Sequence, residues 1–71
     1  MKYRLTVRTR EHKVHSDVLD NIGTPDQAAE LGKQIASCIE DGGVIVVNTG
    51  DDTHIVPADA IEAVSIEVVG S

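Results

Sequence analysis

The clearest local signal in the chain is a helix start at Gly23-Thr24-Pro25-Asp26-Gln27. Thr24 suits the N-cap, Pro25 the first helical position, and Gln27 the third, where its side chain closes a capping box. Asp26 and Glu30 put negative charge in the early turns, where the helix dipole favours it. Ala28, Leu31, Ile35, Cys38 and Ile39 then recur at helical spacing and predict one buried stripe. Gly32 lies beside that stripe. A glycine in a helix interior costs about 1 kcal/mol, so its presence predicts close approach of the helix to a sheet. Gly42-Gly43 ends the helix, with one of the two in the left-handed conformation.

On both sides of this segment the apolar residues alternate by twos, so strands supply the rest of the fold. Residues 2–10 place Tyr3, Leu5 and Val7 on one face and Lys2, Arg4, Thr6, Arg8 and Arg10 on the other. Val14, Ser16 and Val18 continue as the second arm of a hairpin. The β-branched run Val44-Ile45-Val46-Val47 reads as the most buried, central strand. Asn48-Thr49-Gly50-Asp51-Asp52 is a turn, Thr53 to Val56 a strand, and Pro57 ends it because proline cannot donate to a ladder. From Ile61 to Val69 alternation returns, with Val64, Ile66 and Val68 facing in and Ser65 and Glu67 facing out. The expected class is α+β, a single helix packed on one face of a mostly antiparallel sheet, in the order β-β-α-β-β-β, as one domain over residues 1–71.

Seventy-one residues sit near the lower limit for a stable monomer, since so short a chain buries only about 60% of its unfolded surface. The single cysteine, Cys38, excludes an internal disulfide, and no Cys/His cluster offers a structural metal. Size therefore predicts either a well-fitted core or self-association, and the expectation is a homo-oligomer. The core must be aliphatic, because Phe and Trp are absent and Tyr3 is the only aromatic. Stacking on nucleic-acid bases is thereby almost unavailable. An apolar content of 41% is too high for a disordered chain, and no apolar run reaches the roughly 20 residues of a membrane span. Alternation right after Met1 leaves no apolar signal segment, and one cysteine without an export signal fits a reducing cytoplasm.

Two stretches, Asp41-Gly42-Gly43 before an aliphatic strand and Ile55-Val56-Pro57-Ala58-Asp59 followed by Ile61, Val64 and Ile66, resemble a family of small actinobacterial proteins. With the basic alternating start and the Pro-started helix, the resemblance spans nearly the whole chain. Similar small chains occur in actinobacterial phages, so it implies a possible phage-encoded origin acting in host cytoplasm. Some members carry an ATP-binding label. Gly42-Gly43 is not followed by Lys-Ser/Thr, however, so no P-loop cradle is present and no binding residue carries over. The strand–turn–strand–Pro–strand ending is also similar to the second half of an Sm-like domain, although here the helix lies mid-chain and the base-holding aromatic residues are missing.

The net charge of −6 hides an asymmetry. Lys2, Arg4, Arg8, Arg10 and Lys13 against Glu11 make the first thirteen residues +4, whereas Lys33 against eleven acids makes the rest −10. Lys2, Arg4, Arg8 and Arg10 are the candidate ligand- or partner-binding residues, because arginine holds phosphate or carboxylate in charge-assisted pairs. Cross-strand pairing with outward acids such as Glu67 is the competing use of the row, above all for Arg4 and Arg8. His12 and His15 stand three apart, which on a strand or around a turn does not converge on a metal. Asp51, Asp52 and His54 gather at a turn, where aspartate and glycine satisfy turn geometry as well as they would hold a cation. Cys38 falls on the apolar helical stripe near a C-terminus, a setting that does not activate a thiol.

No nucleophile–base set and no metal frame emerges, so the expected protein is not an enzyme, with no catalytic residue, no metal and no cofactor. The first reading is a small interaction module that self-associates and binds a protein partner. The alternative is a protein that binds or sequesters a small anionic ligand or nucleotide on the basic face of the first strand. Nucleic acid is disfavoured, since a surface of net −6 repels polyphosphate.

Overall fold

A computed structural model describes residues 1–70. Five strands and one helix follow in the expected order: β1 (Tyr3–Thr9), β2 (Lys13–His15), α1 (Pro25–Glu40), β3 (Val44–Thr49), β4 (Asp52–Pro57), a 3₁₀ turn at Ala58–Ala60, and β5 (Ile61–Val68). The class is α+β with antiparallel pairing throughout. The strands do not make one sheet, however. They form a three-stranded sheet in the order β2-β1-β5 and a separate ribbon of β3 with β4.

Hydrogen bonds at the corners hold the two sheets around a shared core. Asp17 N, just after β2, donates to Asn48 O of β3 at 2.9 Å, and Gly50 N of the β3–β4 turn donates to the Asp17 carboxylate at 3.0 and 3.2 Å. Between them lie Leu5, Val7, Val14, Ile35, Ile45, Val47 and Val56, with Tyr3 buried at one end. Every one of these but Tyr3 is aliphatic, so packing depends on β-branched fit rather than ring stacking.

The helix forms as its sequence dictates. Thr24 is extended, and its hydroxyl accepts from Gln27 N. The Gln27 side chain reaches back to accept from Gly23 N at 2.8 Å, one residue before the cap. At the other end Gly42 adopts φ +74°, and Gly42 N and Gly43 N donate to Ile39 O and Cys38 O at 3.1 and 3.0 Å. This double closure satisfies the last carbonyls and turns the chain straight into β3. A Cβ on Gly43 would sit 2.8 Å from Cys38 Sγ, so glycine there is required by space.

Three strand expectations need correction. Val44 and Val46 are 50% and 51% exposed, while Ile45 and Val47 are buried. The Val44–Val47 run is thus a half-buried strand of a two-stranded ribbon, because the one helix covers only its inner face. The second strand is only three residues long: Ser16 N still bonds Leu5 O, but Leu5 N turns to the Ser16 hydroxyl and Tyr3 O accepts from Leu19 N rather than Val18 N, and Val18 is exposed. Val68 shares the face of Val64 and Ile66 but is 56% exposed, at the end of the strand and outside the core cluster.

Candidate functional site

The basic row of β1 loses its last member, and its neighbour β5 carries a bulge. Arg8 pairs with Ala63 and Thr9 with Ile61, so Glu62 is an extra residue in β5 and the register shifts between Arg8 and Thr9. β1 ends at Thr9, and Arg10 lies beyond it in the bend toward β2. Lys2, Arg4 and Arg8 remain on the open side of the three-stranded sheet. Arg10 instead lines a cleft of about 660 Å³ with His12 and His54, between the β1–β2 turn and β4. Glu11 and Asp59 stand in the same wall, so this cleft carries both signs of charge.

The inner members of the row are paired. Arg4 lies directly opposite Glu67 in the ladder, and its Nε donates to Glu67 Oε1 at 3.2 Å. Arg8 Nε stands 3.9 Å from Glu62 Oε1, with both side chains about half exposed. Buried Thr6 joins this group, its hydroxyl donating to Glu67 Oε1 and sharing a 2.8 Å hydrogen bond with His15 Nδ1. The Thr6 hydroxyl first, and the Arg4 guanidinium second, hold the Glu67 carboxyl below its ordinary value. Lys2 and Arg10 have no ion-pair partner among the described residues.

The other chemistry-bearing residues stay apart. His12 sits in the β1–β2 turn, where its carbonyl accepts from Thr9 N, whereas His15 faces Thr6 across the sheet. Among the described residues no three His, Cys, Asp or Glu side chains gather closely enough to hold a metal ion. Asp17, which no sequence signal singled out, accepts from Gly50 N at 3.0 and 3.2 Å and braces the β3–β4 turn at Gly50-Asp51. The Cys38 thiol donates to Val44 O at 3.3 Å, a structural use of the half-buried sulfur.

What sequence reasoning missed is apolar. On the outer face of the β3–β4 ribbon, Val46 stands opposite Ile55 and Val44 opposite Pro57. Ile55 is 66% exposed and the two valines about half exposed, so these residues form one contiguous patch. The signal was present in the strand alternation, which puts Val44 and Val46 on the face opposite Ile45 and Val47. No helix of the structure is long and apolar enough to cross a membrane. Compared with protein-family models, curated proteins and solved structures, the chain matches none of them.

Proposed function

We propose that this protein is a non-enzymatic interaction module that self-associates and presents an apolar face to a protein partner. The observation that carries the reading is the uncovered patch of Val44, Val46, Ile55 and Pro57 on the β3–β4 ribbon. Isolated exposed apolar residues are ordinary on a protein surface; a contiguous β-branched patch marks an interaction site. Such a patch matters more on a chain of 71 residues, whose own core supplies little stability to spare.

The anionic-ligand reading has less support. Arg4 and Arg8 are each engaged by a glutamate, and Arg10 lies off the row. An anion on β1 would have to displace Glu67 from both Arg4 and Thr6.

Sedimentation equilibrium over a wide concentration range tests self-association. The expected result is a mass above 7.6 kDa and a melting temperature that rises with protein concentration by mass action. A strictly monomeric species at millimolar concentration, with a melting point that does not move, refutes the reading.

A further inference from the structure

β5 is an edge strand, bonded to β1 on one side only. Val69 N donates to Lys2 O, while Leu5 O serves β2 by accepting from Ser16 N. Antiparallel alternation then commits Ala63, Ser65 and Glu67 to β1 and turns the N–H and C=O groups of Val64, Ile66 and Val68 toward the open edge. Natural edges are blunted with lysine, proline or short length. β4, one of the two edges of the ribbon, ends in Pro57, and β3, the other, is six residues long; β5 is the longest open edge, eight residues with no proline and no lysine.

Beside this edge lies a groove of about 500 Å³ between α1 and β5, walled by Gly32, Ala36 and Ile39 from the helix and by Ile61, Val64 and Ile66 from the strand. Gly32 is next to Ile66, and Ile39 shares the groove with Ile61, so the helix runs antiparallel to β5. The rim is electrically polarised. Lys33 stands at the Ile66 end. Glu40 and Asp41 close the helix at the Ile61 end, where the helix C-terminus adds partial negative charge and the last turn holds no base.

We infer that the occupant of this edge is a second copy of the chain, its β5 added antiparallel about a two-fold axis to make one continuous six-stranded sheet. The inference rests on the self-association proposed above and names its interface. The axis reverses one copy relative to the other, so the Lys33 end of each groove meets the Glu40–Asp41 end of its partner. With the axis at Val64, Ser65 or Ile66, neither Glu62 nor Glu67 stands opposite a glutamate. Val64, Ile66 and exposed Val68 of the two copies fill the groove together. Exposed Ala29 and Ala36, with Gly32 between them, leave no bulky side chain to hold the two helices apart.

The test compares sedimentation equilibrium of the full chain with that of surface variants. Ala36→Arg, at an exposed helix position, is expected to weaken dimerisation at least about tenfold while the far-UV spectrum is unchanged. Lys33→Glu is expected to weaken it too, and the swap Lys33→Glu with Glu40→Lys to restore it, which a packing defect would not do. In the wild-type dimer the amides of Val64 and Ile66 should be protected from hydrogen exchange, and Ala36→Arg should expose them. A dimer that survives Ala36→Arg but is dissociated by Val46→Lys overturns the inference, placing the interface on the β3–β4 ribbon while self-association stands. Fast exchange at Val64 and Ile66 in a dimeric sample overturns it equally. A monomer at every concentration removes the parent reading as well.

Discussion

Thr24→Ala tests whether the cap holds the helix as the structure describes. Thr24 Oγ1 accepts from Gln27 N at 3.2 Å, and both residues are exposed, so water competes for the freed amide. Loss of a threonine cap ranges over about 0.5–2 kcal/mol, and a long, solvated bond places this one near 1 kcal/mol. For a domain of this size that lowers the melting temperature by roughly 4–8 °C. Gln27→Ala removes the second arm, the bond from Gly23 N, and an exposed bond of that kind contributes about 0.5 kcal/mol. Because the two bonds meet at one residue, the double variant should lose less than the sum of the singles. Urea unfolding at fixed protein concentration measures each cost, with an unchanged slope indicating that the folded state keeps its extent. Thr24→Ser should recover nearly all of the loss. An Ala variant with the wild-type midpoint, or a Ser variant no better than Ala, refutes the assigned cap.

Two further outcomes follow from the core and the open sheet face. Val47, fully buried, should lose roughly 2–3 kcal/mol as Val47→Ala, about 1.6 from transfer of two methyl groups and the rest from the cavity, whereas half-exposed Val46→Thr should stay within about 0.5 kcal/mol of wild type in the monomer; similar costs at the two positions would contradict the alternation of β3. Glu67 is held below the ordinary glutamate value, so its pairing contributes stability above its unfolded-state pKa that is lost as pH falls through the lower folded value. Thr6→Val removes the largest cause and should move the Glu67 carboxyl back up in a carbon-detected NMR titration; an unmoved titration would assign the effect to Arg4 alone.

The helix and its ends were legible because their determinants are local. Thr24, Pro25, Gln27 and Gly42 act on backbone groups within four residues, and the folded chain uses each of them as its residue type requires. The Arg4–Glu67 pair was legible from strand parity, since both point outward from strands that must pair. The split into two sheets was not, because it depends on how far β2 continues, and that is decided by the Ser16 hydroxyl taking Leu5 N and by Leu19 N taking Tyr3 O. Val44-Ile45-Val46-Val47 reads alike whether one face or both are covered. A single sixteen-residue helix cannot cover both faces of five strands, and this sets the outcome. Arg10 departs from the row because β1 ends at Thr9, where the chain bends back toward β2 and Thr9 N bonds His12 O.

The charge asymmetry along the chain acquires a structural sense from these pairings. Exposed ion pairs contribute only about 0–1 kcal/mol each, so Arg4–Glu67 and Arg8–Glu62 do little for stability. Their effect on register is larger. A one-residue slip of β5 along β1 would turn Val64 and Ile66 out of the core and set the arginines against apolar residues. Because β1 takes up both glutamates of β5, the strand's other edge is left without a committed charge along Val64 to Val68. Acids left unpaired on that strand would have repelled any incoming copy. Arg4 and Arg8 thus act inside the sheet, and the edge of β5 they leave uncharged is the one at which we propose a second copy adds.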